Sequence, residues 1–264
     1  MSNWALVGTF LAVSSLVMAI GWAVYAKTQE ASFVDVVWTI GTAIGGILFL
    51  IENQGNLNRT LLLGGMIVLW STRLSTHLIL RLRKRGEDRR YQRMKAFWGE
   101  KAQVKFFWFF QAQAVFMTLF SLPFLAVGNN PSPLGQLDTI AALIWLTGFI
   151  GGTLADFQLE QFKSNPNTNR DEVFREGLWR YSRHPNYFCE WLLWSSYVVF
   201  GIRSEGGVWL ISIPIVLYLI ITKLTGSSHI ERAKLKASNK AYTDYIATTN
   251  PFFPWPPKPR AKTT

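Results

Sequence analysis

Seven stretches of this chain are apolar over lengths that suit a bilayer better than a water-facing core. They are Trp4 to Ala26, Phe33 to Ile51, Leu61 to Leu80, Phe106 to Val127, Asp138 to Phe157, Tyr187 to Ile202 and Val208 to Leu224. A helix rises about 1.5 Å per residue, so the longer runs span the ~30 Å of hydrocarbon in a membrane. The first run lacks a positively charged start and is long for a signal-peptide core, so it reads as a retained helix. The expected fold is all-α: a polytopic membrane protein of about seven transmembrane helices. There is no internal repeat and no linker long enough to separate domains, so residues 1–264 read as one integral-membrane domain.

Charge orients the helices. The chain is 49% hydrophobic and 16% charged, yet carries a net charge of +11. A basic chain first suggests nucleic acid. Here the bases border apolar runs, which fits the cytoplasmic side of a membrane and no nucleic acid. With seven spans, the basic segments after the third run, after the fifth run and in the tail share one side. The second, fourth and sixth loops fall on the other side and hold only Arg59 and Arg203 as bases. The N-terminus is therefore expected outside and the C-terminus in the cytoplasm. The single cysteine, Cys189, excludes an intrachain disulfide framework.

Three segments on the basic side concentrate hydrogen-bonding chemistry. The densest runs from Leu178 to Glu190 and includes Arg180, Tyr181, Ser182, Arg183, His184, Asn186 and Tyr187. The others are Arg85-Gly86-Glu87-Asp88-Arg89-Arg90-Tyr91 and His229-Ile230-Glu231-Arg232. Arginine forks bind phosphate bidentately, while asparagine and glutamate bond an amide or a ribose. A headgroup-anchored cytoplasmic loop would look similar by charge alone; the order of the residues favours a site. No Gly-x-Gly-x-x-Gly follows a strand, and no His/Cys cluster has metal spacing. Ser182 near His184 lacks the strand-turn-helix elbow of a hydrolase. The Ile230 to Tyr245 portion of the tail reads as an amphipathic helix, and the prolines from Pro251 to Pro259 end it.

Inside the apolar runs, Asp35, Arg73 and His77 stand out. Arg73 and His77 are one helical turn apart. Asp35 and Arg73 either snorkel or pair with each other, or Asp35 binds the polar end of a lipid-like substrate. His77 either does the same work or bonds a backbone carbonyl near the interface.

The run Arg183-His184-Pro185-Asn186-Tyr187 with Glu190, Asp156 near a helix end, and Arg85 to Tyr91 resemble the steroid 5-alpha-reductase family. The likeness is closest to its bacterial branch, catalogued as a domain of unknown function, and is strongest from Asp156 onward. The resemblance implies a seven-helix enzyme of a bacterial inner membrane that takes hydride from NADPH. It would reduce the double bond conjugated to the 3-oxo group of a steroid or steroid-like lipid, and act as a monomer. Residues 1–127 would lie mainly on the substrate side and 138–250 mainly on the cofactor side. Asn186, Glu190 and Asp156 match the residues that hold the cofactor, and Lys163 stands where animal members have arginine. His229 matches the tail histidine. Asp35 matches the substrate-facing acid, and Trp70 falls where the family has a carbonyl-polarising tyrosine. An indole N–H donates a hydrogen bond but does not readily release a proton.

The implied cofactor set also includes Arg85, Asp88, Arg89, Tyr181, Arg183, His184, Tyr187, Glu231 and Arg232, with the phosphates at Arg85, Arg89, Arg183 and Arg232. Asp35 and Trp70 form the catalytic pair, and no metal is expected. An S-adenosylmethionine-dependent methyltransferase of the isoprenylcysteine carboxyl type carries a similar Arg-His-Pro-x-Tyr run and stays open. So does a non-catalytic lipid-binding or scaffold protein. The basic third loop favours a phosphorylated dinucleotide over the phosphate-free methyl donor.

Overall fold

A computed structural model describes residues 2–52, 55–168, 172–225 and 240–259, and among these residues it is helical with no strand. The helices are α1 (Asn3–Thr28), α2 (Phe33–Glu52), α3 (Leu57–Arg85), α4 (Arg89–Trp98), α5 (Ala102–Gly128), α6 (Gln136–Ser164), α7 (Pro185–Gly201), α8 (Ser212–Leu219) and α9 (Lys240–Thr248). Short 3-10 turns precede α5, α7 and α8, and a π-helical turn follows α8. Five helical segments are long and apolar enough to cross a membrane: Asn3–Thr28, Phe33–Glu52, Leu57–Arg85, Arg89–Gly128 and Gln136–Ser164. The helices form two compact units, Met1–Leu134 and Gly135–Thr264.

In the first unit, α2 packs on α5 and α3, and α5 packs on α1. Small residues on α2 permit the close approach: Gly41 faces Met117, Gly45 faces Phe10 and Ser121, and Gly46 faces Phe124. Two hydroxyls bond across helices, Ser121 Oγ to the Thr42 carbonyl (3.1 Å) and Ser71 Oγ to the Thr39 carbonyl (3.3 Å). The opposite faces carry exposed apolar side chains. On α1 these include Leu11, Leu16, Ile20 and Val24, while Phe10, Met18 and Tyr25 point inward. An apolar outer surface of this extent suits lipid as the solvent.

The charged stretch after the third apolar run is more ordered than a loop. α3 continues through Arg83, Lys84 and Arg85, cations that suit the negative end of its helix dipole. Gly86, at φ 66°, then turns the chain. The Asp88 side chain accepts the Arg90 N–H and caps α4.

In the second unit, α6 and α7 lie against each other along Gly148 and Gly151. α6 extends to Ser164, so Asp156 sits about two turns inside the helix rather than at its end. α7 starts with Pro185, whose fixed φ and missing N–H suit a first helical position. Trp191 Nε1 ties α7 to the Pro214 carbonyl at 3.0 Å. Of the expected tail helix, Lys240–Thr248 is observed; residues 226–239 lie outside the described residues.

Candidate functional site

Each unit holds a polar cluster that contains residues singled out above. In the first, it forms where α1 meets α2 and α3 meets α4. Asp35, in the first turn of α2, is gripped by two neighbours from α4. Tyr91 donates its hydroxyl to Oδ1 at 2.7 Å, and Arg90 Nη2 donates to Oδ2 at 3.0 Å. Arg90 also reaches Asp88 at 3.2 Å, and Asp88 pairs in turn with Arg81. The 29–32 turn is stitched to the same segment. Ala31 N–H donates to Glu87 (3.1 Å), Asp88 N–H donates to Ser32 Oγ (2.8 Å), and Lys95 bonds the Gln29 carbonyl (2.6 Å) and pairs with Glu87. Aromatic rings wall the cluster: Tyr91 packs on Phe109 at 5.8 Å and on Phe106 at 6.4 Å.

Asp35 therefore takes its partners from the α4 segment, through Arg90 and Tyr91. Trp70 is fully buried, and its ring meets Trp38 edge-on at 6.0 Å. Trp38 lies one turn along α2 from Asp35, and its Nε1 is buried with no partner among the described residues. Buried donors are normally satisfied, so this N–H keeps a hydrogen bond it can give to a ligand atom. Arg85 and Arg89 are exposed at the end of α3 and the start of α4. Asp88 acts here as cap and ion-pair partner.

Burial raises the Asp88 carboxyl, but Arg90, Arg81 and the hydrogen bonds from Arg90 outweigh it and hold the group below its ordinary 3.8. Because the folded value is depressed, Asp88 stabilises the fold fully above pH 3.8, and that contribution disappears as pH falls through the lower folded value. Acid titration followed by tryptophan fluorescence should show the first unit weakening in that window, less steeply in Asp88→Asn.

In the second unit, Asn186 Nδ2 donates to Asp156 Oδ1 at 3.0 Å, joining α7 to α6. Asn186 Oδ1 accepts the Tyr187 N–H at 3.0 Å, which fixes the amide's orientation. Glu190 is four residues on, on the same face of α7, and its Oε1 accepts Trp194 Nε1 at 2.9 Å. All three polar side chains are half-buried. His184 is buried and stacks on Tyr187 with centroids 5.5 Å apart. Tyr181 is 41% exposed and its carbonyl accepts Trp255 N–H at 3.0 Å. Lys163 is exposed in the last turn of α6.

Arg183, expected at a phosphate, has a different setting. It is 7% exposed, and Nη1 donates to the carbonyls of Ile246 (3.0 Å) and Thr249 (2.8 Å) at the C-terminal end of α9. A guanidinium there satisfies carbonyls that the helix leaves unpaired. Ser182 Oγ donates to the Phe252 carbonyl at 2.8 Å, Arg183 N–H donates to the Asn250 carbonyl at 2.9 Å, and Tyr245 bonds the Trp179 carbonyl. These residues strap the tail across the turn before α7. His229, Glu231 and Arg232 lie outside the described residues.

Three residues escaped the sequence reading as individual site members: Trp38, Arg90 and Tyr91. Arg90 and Tyr91 stood within a recognised motif, but their reach to Asp35 depends on how α4 folds back. Trp38 carried no signal, because a tryptophan in an apolar run reads as core.

A family model described as "Protein of unknown function (DUF1295)" matches residues 21–249. An uncharacterized protein of Schizosaccharomyces pombe, C594.04c, is 25% identical over 261 residues, covering 88% of this chain and 75% of the relative. No solved structure matches.

Proposed function

We propose that this chain, which belongs to the DUF1295 family, is an NADPH-dependent membrane reductase that saturates the Δ4 double bond of a 3-oxo-steroid or similar lipid enone. The observation that carries the reading is the Asp156–Asn186 bond at 3.0 Å, with Glu190 one turn further along the same face of α7. Carboxylates accept from ribose hydroxyls, and an oriented amide pairs with a carboxamide, so this set fits the nucleoside and nicotinamide ends of a dinucleotide. When bound, the reduced nicotinamide supplies the hydride. The bilayer part of this proposal adds α7 and residues 207–225 to the five long apolar helices, making seven spans with the C-terminus cytoplasmic.

The protein's own contribution lies in orientation and in charge. In the first unit, the free Trp38 Nε1 can donate a hydrogen bond to a carbonyl oxygen, and Tyr91 can do the same when its hydroxyl turns from Asp35. As hydride reaches the β-carbon of the enone, negative charge moves to that oxygen, and donors already in position stabilise it. A proton drawn from water and delivered to the α-carbon then restores the ketone. Arg90, shared by Asp35 and Asp88, holds the carboxylate in place.

Asp35→Asn should leave NADPH affinity unchanged and lower turnover about 100-fold or more, the scale of a lost general acid or base. Arg90 retains Asp88 in this variant, so the fold should persist. The decisive assay incubates the purified protein with NADPH and a 3-oxo-Δ4 steroid. Saturated product and NADPH oxidation in equal amounts support the reading; neither product nor cofactor binding overturns it.

A further inference from the structure

A polar cleft that includes neither Asp156 nor Asn186 lies where the tail folds over the turn before α7. It is a cleft of about 330 Å³ lined by Arg175, Arg180, Thr248, Thr249, Pro257 and Lys258. Three of these six carry positive charge and none carries negative charge. Arg175 is anchored: its guanidinium donates to the Ala241 carbonyl and lies 5.5 Å from the Tyr245 ring centroid. Lys258 is held in place through its backbone, whose N–H donates to the Thr248 carbonyl at 2.8 Å.

The charged groups of Arg180 and Lys258 have no protein partner among the described residues. Thr249 adds an independent sign. It lines the cleft, and its hydroxyl makes no hydrogen bond to the described protein. The neighbouring Thr248 differs, since its hydroxyl donates to the Asp244 carbonyl at 2.9 Å. Two unpaired cations, a third held by its surroundings and a hydroxyl with no protein partner together describe a receptor for a compact dianion.

We infer that this cleft binds a phosphate group, carried either by a lipid headgroup or by a soluble phosphate ester. A phosphate offers three oxygens, enough to meet the Arg180 fork, the Lys258 ammonium and the Thr249 hydroxyl at once. The size of the cleft leaves room for the bearer of the phosphate. The inference does not rest on reductase activity, because it uses no residue of the Asp156–Asn186 or Asp35 clusters.

The test uses the full chain in two settings. In neutral detergent, inorganic phosphate is titrated and binding is read by calorimetry. In nanodiscs of phosphatidylcholine, phosphatidic acid is added and binding is read as the enrichment of that lipid over phosphatidylcholine around the protein. Arg180→Ala and Lys258→Ala alter exposed side chains, and Thr249→Val keeps the shape while removing the hydroxyl. Each should weaken binding about 10-fold, the cost of one charge-assisted hydrogen bond. Weakening in the detergent arm assigns a soluble phosphate, and weakening only in the nanodisc arm assigns a headgroup. Should phosphate and phosphatidic acid bind the Arg180→Ala/Lys258→Ala double variant as they bind the parent protein, with melting curves unchanged, the site is refuted.

Discussion

Gly148→Leu should strongly destabilise the second unit. A Cβ at Gly148 would lie 2.6 Å from the Cys189 carbonyl oxygen, 2.8 Å from Leu193 N and 2.9 Å from Leu193 Cβ. Two of these atoms are backbone within α7, so no rotamer change relieves the clash. Overpacking typically costs about 1–3 kcal/mol where side chains can move aside. Leucine here should exceed that range, and alanine should fall within it. A difference of that size lowers the midpoint of thermal unfolding by roughly 10 °C in a unit of this length. Gly64→Leu is the matched control, because a Cβ there meets nothing within 4 Å. Equal melting of both variants in detergent would show that α6 and α7 are not packed as closely as described.

Removing the amide of Asn186 is the second large effect. Asn186→Ala deletes the group that joins α7 to Asp156 and, in the proposed function, the donor that faces the cofactor. Loss of one hydrogen bond to a charged group costs about 1.5–3 kcal/mol, which corresponds to roughly 10- to 100-fold in affinity. Glu190→Gln is the milder companion. It keeps an oxygen for Trp194 Nε1 and removes only the charge, so its fold should be intact. Titration of NADPH against quenching of intrinsic tryptophan fluorescence separates the outcomes. Affinity within about twofold of the parent in both variants would exclude this face of α7 from cofactor binding.

The helical character, and the placing of the longer helices, could be read from the sequence because the signal is hydrophobic length, which depends on no distant residue. The pairing of Asp156 with Asn186 was approachable for a similar reason: α6 and α7 neighbour each other in the chain, and their motif residues fall on single faces. Asp35 illustrates the limit. Its position was plain, but its partners come from Arg90 and Tyr91, 55 and 56 residues away, beyond a glycine turn. No periodicity encodes that return. Arg183 shows a different obstacle. In a list of cations it looks like a phosphate ligand, and only its burial beneath the end of α9 reveals carbonyls as its partners. The basic cleft was hidden likewise, since Arg180 and Lys258 are far apart in the chain and meet only through the folded tail.

The strap over the turn before α7 also fixes an order of events during synthesis. Ser182 and Arg183 wait for residues 63 to 70 positions later before their hydrogen bonds can form. At roughly 5–20 residues per second, translation leaves that turn unclasped for roughly 3–14 seconds. Through this interval a cationic side chain destined for the interior has only solvent, headgroups or the insertion machinery as company. A nascent chain halted just after α8 should therefore present the Leu178–His184 turn to protease, and one extended past Lys258 should shield it.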